Sequence, residues 1–420
     1  MLEKADEHSR EYDLEGSACS ESIAIEGRKT LKLPLESIRV LDLTRLLPGP
    51  YCTLILADFG ADVIKIENPD EGDYVRWDEP KIDGQSAVFH SLNRNKRSVA
   101  LDLKSEQGKS IFIDLVKTSD VVVESFRPKV MERLGLGYDE LKKHNPKLIY
   151  CAISGYGQTG PYVDKAGHDL NYLSYSGILH LQGEPEGKPL IPAVQIADIG
   201  GGSLMAAIGI LLAIIEQRKS GEGQFVDISM LDGTVSWMQT ILPNIVASNQ
   251  LPNRGELTLN GGKACYEVYQ TKDKRFLSVG ALEQKFWAGF CAAIGKEEFI
   301  PDLDAPIEKQ RMMKQEIASV IKNKTLEEWL EIFDDVDTCV APVLTPVEMM
   351  EDPQIIHRKM VEEIDFPKTG IMKQLGIPIK LSRTSGKIRS HAPALGEHTD
   401  EILHELGYSK EEILSLKQNK

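Results

Sequence analysis

The sequence has few cysteines, and no two of them are close enough to form a CxxC or CxxxC pair. The six are Cys19, Cys52, Cys151, Cys265, Cys291 and Cys339. Their spacing matches neither a zinc site nor the disulfide framework of a small secreted domain. We therefore predict reduced and mostly buried thiols, as is usual for an intracellular protein.

Long hydrophobic runs, targeting signals and an excess of positive charge are also missing. The longest apolar run, LMAAIGILLAII, ends before Glu216 and falls short of the roughly 18 residues that cross a bilayer. Neither the charged N-terminus nor the C-terminal KQNK resembles a targeting signal. The net charge of −15 argues against nucleic acid or an anionic membrane as the main partner. The cytoplasm is the predicted location.

Short β-branched segments alternate with helical ones in the first half of the chain. IRVLDLT (38–44) and ADVIKIE (61–67) flank a segment with helical spacing, and VVVES and LIYCAIS follow in the same manner. Strand, helix and strand within about 30 residues indicate a βαβ unit. We predict an α/β fold with a doubly wound, Rossmann-like parallel sheet, in which ligands bind beyond the carboxyl ends of the strands.

A dinucleotide-binding turn is absent, although Glu67 closes the second strand where a ribose-binding acid would lie. The first turn is LLPGPYC instead of GxGxxG, and Pro48 and Pro50 lack the backbone N–H groups that a pyrophosphate needs. This argues against a nicotinamide dinucleotide as ligand.

Composition divides the 420 residues further. Residues 1–35 are charged and rich in serine, which predicts a flexible N-terminal extension. Residues 36–233 form the predicted large α/β domain, and the Gly/Asn/Pro-rich segment 234–263 is predicted as a linker. From 264 to 350, short strands and amphipathic helices indicate a smaller α+β domain.

Three residues are catalytic candidates by position. His168 and Asp169, in KAGHDLNY, follow a strand and a glycine-rich loop, where α/β proteins often place catalysis, although an exposed turn would have the same pattern. Asp198 precedes three glycines and an apolar helix. It would cap that helix as a structural residue, or face a ligand that the bare glycine backbone lets approach.

Basic residues form two runs, NRNKRSVALDLKS and ESFRPKVMERLGLG, that stand out in an acidic chain. Such runs are either solvated faces or phosphate sites. The candidates are Arg94, Lys96, Arg97 and Lys104 in the first run, and Arg127, Lys129 and Arg133 in the second.

Several segments together resemble the class III CoA-transferase superfamily, of the CaiB/BaiF type. They are VLDLTRLLPGPYCTLILADFGADVIKIE, NRNKRSVALDLKS, FRPKVMERLGLG, GYGQTGPY, AGHDLNYLSYSG and DIGGGS, followed by GGKACYEVYQT, VGALEQKFW, TCVAPVLTPVE and GEHTDEIL. The resemblance covers nearly the whole chain after the first 35 residues.

Within that superfamily, CoA transferases use the shared aspartate, here Asp169, as a nucleophile that forms an aspartyl-CoA thioester. The α-methylacyl-CoA racemase branch has a histidine directly before it, in GHDxNY, and a second aspartate 30 residues after that histidine. His168 and Asp198 match these two positions, and Glu283 in GALEQKFW matches a glutamate that supports the histidine. The sequence is more similar to the racemase branch.

The resemblance implies racemisation at C2 of 2-methylacyl-CoA thioesters by two bases, His168 on one face and Asp198 on the other, through an enolate. CoA transfer through Asp169 stays the alternative. No metal, flavin or pyridoxal motif is present, so coenzyme A is expected only as part of the substrate. The resemblance further implies CoA contacts from Pro50 and Leu103.

The resemblance also implies an interlocked homodimer. Residues 351–420 would then be a return linker and the C-terminal part of the large domain. The active site would lie between one protomer's large domain and the other's small domain, so that Glu283 acts either in its own protomer or in the partner.

Overall fold

Parallel strands at the centre of the molecule form a six-stranded sheet. The structure is a computed structural model that describes residues 33–418, with side chains up to 414, so the predicted N-terminal extension lies almost wholly outside the described residues. The strands are β1 Arg39–Asp42, β2 Asp62–Glu67, β3 Lys81–Ile82, β4 Gln85–Ser86, β5 Lys96–Ala100, β6 Val121–Glu124, β7 Ile149–Ser154, β8 Phe225–Ser229, β9 Tyr266–Gln270, β10 Phe276–Gly280, β11 Val340–Pro342, β12 Val361–Phe366 and β13 Gly370–Leu375.

Helices connect and cover these strands. They are α1 Pro48–Asp58, α2 Ala87–Asn93, α3 Glu106–Lys117, α4 Val130–Arg133, α5 Tyr138–His144, α6 Asp169–Tyr175, α7 Ile178–Leu181, α8 Met205–Ser220, α9 Met230–Ser236, α10 Leu242–Ser248, α11 Gln284–Ala293, α12 Ile307–Ile321, α13 Leu326–Asp334, α14 Pro346–Met349, α15 Pro353–His357, α16 Thr399–Glu405 and α17 Lys410–Gln418. A π-helix, Ala197–Leu204, continues directly into α8, and 3₁₀ turns span Tyr74–Trp77, Trp237–Thr240 and Glu297–Asp302.

The six strands lie in the order β5-β2-β1-β6-β7-β8, and every pairing is parallel. The predicted parallel sheet is therefore confirmed. The order runs one way from β1 through β2 and the other way from β1 through β6, which makes the crevice between β1 and β6 the switch point. Open α/β sheets bind ligands at this crevice, beyond the carboxyl ends of the strands.

Helices cover both faces of the sheet, as the buried strands require. β6 and β7 are buried at every residue because hydrophobic clusters lie above and below them. One cluster joins α1 and α8 to the sheet, with Leu56 and Ile210 among its members. The other joins α3 and α5 and also includes Ile402 from α16. The C-terminal helices thus pack on the sheet that the first half of the chain builds.

A third hydrophobic cluster draws only on residues between 264 and 340. It packs the antiparallel sheet β11-β10-β9 against α11, α12 and α13, with Trp287 and Trp329 fully buried. The segment 234–263, predicted as a linker, contains α10 and one 3₁₀ turn. The domain boundaries themselves stay a prediction.

The π-helix and α8 form one continuous helix from Ala197 to Ser220. It is longer than the apolar run LMAAIGILLAII, because the segment DIGGGS before that run is also helical. By length and composition alone it is apolar enough to cross a membrane, but half of its most apolar window is buried. A core helix of a soluble protein passes the same test, and this helix packs on β7, β8 and α1.

Candidate active site

His168 lies at the start of α6, at the end of the loop that follows β7. Its backbone N–H donates to Oδ1 of Asn171 at 3.0 Å, which begins the helix. The side chain is exposed, while Asp169 beside it is half-buried. The loop therefore presents the imidazole beyond the carboxyl end of β7, on the edge of the sheet where the fold predicts a ligand.

Tyr172 fixes the loop that leads to His168. Its ring is buried, and its hydroxyl donates to the carbonyl oxygen of Gly167 at 2.6 Å. A β-carbon at Gly155 would lie 2.5 Å from that hydroxyl oxygen, so only glycine fits against the ring. The motif alone does not indicate this role, because nothing in the sequence shows that Tyr172 folds back on the loop that precedes it.

Asp169 joins the two segments that contain the candidate bases. Its Oδ1 accepts hydrogen bonds from the backbone N–H groups of Ala197, at 2.6 Å, and Asp198, at 3.0 Å. These groups begin the π-helix and have no partner within it. Asp169 therefore caps this helix. The sequence offered Asp198 as the cap, but in the structure the Asp198 carboxylate does not serve that purpose.

The glycines of DIGGGS let the π-helix pack closely against its neighbours. A β-carbon at Gly201 would lie 2.5 Å from the carbonyl oxygen of Met230, and one at Gly202 would lie 3.2 Å from Cβ of Pro48. Ser203 donates its hydroxyl to the carbonyl oxygen of Pro48 at 2.7 Å. The Pro-Gly-Pro turn after β1 and the segment with Asp198 therefore meet, and π-helical turns are frequent at functional sites.

Asp198 has an electrostatic environment suited to proton transfer. Burial, reinforced by the negative charge of Asp169, raises the pKa of Asp198 to about 6, while His168 opposes the shift. Burial and the charges of Asp198 and Asp169 also raise the pKa of Tyr172, and the charge of Arg127 lowers it. Asp198 is therefore coupled electrostatically to Asp169 and His168, and Tyr172 to Asp198, Asp169 and Arg127.

The raised pKa predicts that Asp198 costs stability at neutral pH. Its pKa is about 6 in the folded protein and near 3.9 when unfolded, so the cost is absent below about pH 4 and complete above about pH 6. We expect Asp198→Asn to raise the free energy of unfolding by about 1–2 kcal/mol at pH 7, allowing for partial exposure, and to change it little at pH 4. Urea titrations at both pH values measure this. Equal stabilisation at both would contradict the assignment.

Glu283 is separate from this cluster in the chain. It lies directly before α11, next to the third hydrophobic cluster, and its side chain is exposed. Among the described residues, its carboxylate has no hydrogen bond or ion pair. The structure thus joins Asp169, the neighbour of His168, to the backbone of Asp198, whereas no hydrogen bond or ion pair among the described residues links Glu283 to them.

Three basic candidates are engaged in ion pairs within the protein. Lys96 lies in β5, a strand that the sequence analysis missed, and its fully buried ammonium group contacts Oδ2 of Asp42 at 3.1 Å. Arg94 is also buried and binds Asp58 at 2.7 Å. Arg97 binds three carboxylates on Asp62, Glu401 and Glu405. Lys96 and Arg94 are therefore core residues and not phosphate ligands, and Arg97 is already neutralised.

The other basic candidates remain accessible. Lys104, Arg127, Lys129 and Arg133 are exposed and form no ion pair within the described residues. Lys104 lines a cavity of about 830 Å³ beyond the carboxyl ends of β2 and β5.

Pro50 and Leu103, the two apolar candidates for CoA contact, are less exposed than these basic residues. Pro50 is buried in the first turn of α1, and its carbonyl oxygen accepts a hydrogen bond from Lys96 at 3.0 Å. Leu103 is half-buried against the second hydrophobic cluster.

Comparisons with known proteins identify the family of this chain. The model of CoA-transferase family III matches residues 35–399. The chain is 39% identical to the alpha-methylacyl-CoA racemase of Mus musculus, over 91% of this chain and 96% of the relative. It is 36% identical to the succinate--glutarate CoA-transferase of Agrobacterium fabrum, over 89% and 96%.

A solved structure, that of a CAIB/BAIF family protein from Brucella suis, has a similar fold. It superposes with a TM-score of 0.79 at 31% identity, over 90% of this chain and 100% of that chain. Racemases and transferases are both among the similar proteins, so identity alone does not separate the two activities. The family model, the similar sequences and the shared fold establish that this chain belongs to CoA-transferase family III.

Proposed function

We propose that the protein racemises 2-methylacyl-CoA thioesters at C2 by transferring protons between two bases and the substrate. The main support is the pair of hydrogen bonds from the backbone of Ala197 and Asp198 to Asp169, because they hold the backbone of Asp198 against the residue that follows His168. A carboxylate with a pKa near 6 exchanges protons readily at neutral pH. An imidazole beside it supplies the second group.

Each direction of the proposed reaction uses the same two groups in opposite protonation states. In one direction the Asp198 carboxylate removes the C2 proton, and the electrons of the C–H bond move onto the thioester oxygen as an enolate. The His168 imidazolium then donates its proton to the opposite face of C2. His168 ends neutral and Asp198 ends protonated, which is the starting state for the reverse direction. Positioned acid–base groups of this kind contribute about 10²–10⁴-fold each.

The enolate needs hydrogen-bond donors where its charge develops. Helix α6 begins at Asp169, so its first backbone N–H groups lie beside His168. We propose that these N–H groups donate hydrogen bonds to the thioester oxygen. Each preorganised donor of this kind lowers the activation free energy by about 3–4 kcal/mol. The scheme is complete without a metal or an organic cofactor, and coenzyme A enters as part of the substrate.

Coenzyme A is proposed to bind along the carboxyl edge of the sheet, where the exposed cations Lys104, Arg127 and Arg133 can contact its phosphates. We assign the adenosine end to the cavity lined by Lys104, since about 830 Å³ accommodates a nucleotide. Arg127 and Arg133, which follow β6, are proposed to contact phosphates nearer the reacting carbon. This route leads from the β5 edge of the sheet, past the switch point, to His168.

CoA transfer is the second candidate, favoured by the presence of the shared aspartate. Asp169 would attack an acyl-CoA thioester and release the CoA thiolate. That thiolate would then attack the resulting acyl-aspartyl anhydride, which releases the free acid and leaves an aspartyl-CoA thioester. One of the Asp169 oxygens, however, already accepts two backbone hydrogen bonds, which stabilise the carboxylate and weaken it as a nucleophile.

The two candidates predict different products. A racemase incorporates deuterium at C2 of a chiral 2-methylacyl-CoA in D₂O with no free acid present. A transferase instead moves CoA between acids and is inactivated by hydroxylamine during turnover through capture of its aspartyl thioester. We expect exchange, no hydroxylamine trapping, and only a partial loss of activity in Asp169→Asn, since the amide keeps an oxygen acceptor for the two N–H groups. Trapping at Asp169 together with CoA transfer would favour the alternative.

We further propose that the protein is an interlocked homodimer in which Glu283 acts on the partner's His168. One side of α8 supports this, because Ile208, Leu212 and Ile215 are 50%, 61% and 55% exposed. Apolar side chains on one helix face usually mark an interface. A second support is that, among the described residues, no hydrogen bond or ion pair links Glu283 to the His168 of its own protomer.

The dimer proposal predicts that a charge on this face separates the protomers. Leu212→Glu is expected to yield a folded monomer with at least about tenfold lower racemisation, because each site loses its partner's contribution. Lys219→Glu, at the exposed end of the same helix, is the control and should stay dimeric. Light scattering with circular dichroism distinguishes the states. A fully active Leu212→Glu monomer would contradict the shared site.

A further inference from the structure

Arg45 lies at the switch point of the sheet, outside both basic runs that the sequence suggested. It follows β1, which ends at Asp42, and its side chain reaches Phe126, which follows β6. The contact between Arg45 and Phe126 therefore spans the crevice between β1 and β6. Ligands of open α/β sheets bind in this crevice.

Two aromatic rings hold the guanidinium of Arg45. Its central carbon lies 5.0 Å from the ring centroid of Tyr74 and 5.3 Å from that of Phe126. Its Nη1 also donates to the hydroxyl of Tyr74 at 2.9 Å. Cation–π contacts of this kind fix the group without neutralising its charge.

The backbone around Arg45 is fixed as well. The N–H of Arg45 donates to Oγ of Ser125 at 3.2 Å, and the N–H of Leu46 donates to Oδ1 of Asp73 at 3.1 Å. Asp73 is fully buried and pairs with Lys65 at 2.9 Å. Leu46 has φ +65°, a conformation that leucine rarely adopts unless its surroundings impose it. A strained turn anchored to a buried ion pair is typical of a binding site.

Charge distinguishes Arg45 from the arginines that serve the fold. Arg76, Arg94 and Arg97 each bind a carboxylate at 2.6–2.7 Å. Within the described residues, Arg45 has no carboxylate at ion-pair distance. Its remaining side-chain N–H donors have no acceptor among residues 33–418, and the planar guanidinium matches two phosphate oxygens.

We propose that Arg45, clamped between Tyr74 and Phe126, binds the diphosphate of the coenzyme A portion of the substrate. The proposal rests on the proposed function for the choice of coenzyme A. The site lies at the switch-point crevice, between the cavity lined by Lys104 and the cluster around His168. The diphosphate, and not the terminal ribose phosphate, is the group of coenzyme A that lies between its adenosine and its thioester. Arg45 is a binding residue and takes no part in proton transfer.

The test compares Arg45→Gln with Arg45→Lys on ligands that differ only in their phosphates. Arg45→Gln should raise the calorimetric Kd of CoA, and the KM of a 2-methylacyl-CoA, about 10- to 100-fold with kcat little changed. The same loss is expected with the 3′-dephospho ligands, and none with a 2-methylacyl-pantetheine, which has no phosphate. Arg45→Lys should restore part of the affinity. Arg39→Gln, which alters an arginine paired to Asp62 and Glu405, is the matched control.

Two results would overturn the assignment. One is an equal loss with the pantetheine thioester, which would indicate a structural role. The other is an Arg45→Gln variant that binds the 3′-dephospho ligands as tightly as the unsubstituted protein does, which would show that Arg45 contacts the ribose phosphate instead. The calorimetric arm needs no turnover, so an enzyme without racemase activity would refute the proposed function while the test of Arg45 still gives an answer.

Discussion

Replacing His168 by alanine, or Asp198 by asparagine, is expected to reduce inversion at C2 by at least about 10²–10⁴-fold. Each substitution removes one of the two groups that transfer a proton to or from C2. Inversion needs a group on each face of C2, so the remaining group cannot replace the missing one. The double variant should be little worse than either single one, because residues that act as a unit are not additive. Optical rotation of a chiral 2-methylacyl-CoA, followed over time, measures the loss.

Matched substitutions elsewhere separate this effect from general damage. His404→Ala removes an exposed histidine on α16, and Asp139→Asn removes an exposed aspartate that pairs with Lys142 on α5. Both should keep full activity. If the His168 and Asp198 variants were as active as these controls, the two-base proposal would be wrong.

Substituting Lys96 by methionine is expected to lower the free energy of unfolding by about 3–5 kcal/mol, because it leaves the buried carboxylate of Asp42 without its partner. Lys96 also donates to Oγ1 of Thr53 and Oδ1 of Asn93, at 2.8 and 2.9 Å. Burial alone would raise the pKa of Asp42, but Lys96 and Lys65 overcome it and hold the pKa below its ordinary value. The stability from Asp42 is therefore present above about pH 4 and lost as pH falls further.

Chemical denaturation at pH 7 measures the change in the free energy of unfolding. Lys104→Met is the control and should leave that free energy nearly unchanged, because Lys104 is exposed and forms no ion pair within the described part of the chain. The double variant Lys96→Met with Asp42→Leu should recover part of the loss, since it no longer buries a lone charge. A stable Lys96→Met protein with weakened CoA affinity would reverse our assignment and return Lys96 to the phosphate site.

Much of the fold could be predicted because parallel strands buried on both faces are nearly continuous apolar runs. IRVLDLT and VVVES have that composition and became β1 and β6. β5 could not be recognised in the same way, since it begins with Lys96 and Arg97 and includes Ser98. Lys96 and Ser98 are buried and Arg97 is half-buried. Their side chains pair with Asp42, Glu67 and Asp62 respectively, which are distant in the sequence. Local charge alone predicted a phosphate site there instead.

The candidate site was predictable in its residues but not in its construction. The motif and its spacing singled out His168 and Asp198, whereas the capping of the π-helix by Asp169 depends on a contact between segments 28 residues apart. Arg45 was not predicted, because it is a single basic residue in LTRLLPGP and belongs to neither basic run. Its role depends on two aromatic rings from separate loops, and no pattern in a single stretch of sequence indicates that arrangement.

Solvent exchange at each face of C2 tests the central claim most directly, namely that His168 and Asp198 flank one carbon from opposite sides. The two enantiomers of a 2-methylacyl-CoA are incubated separately in D₂O with His168→Ala and with Asp198→Asn. We predict that each variant incorporates deuterium into only one enantiomer, without inverting it, and that the two variants choose opposite enantiomers. Exchange of the same enantiomer by both variants, or of both enantiomers by either, would contradict the account.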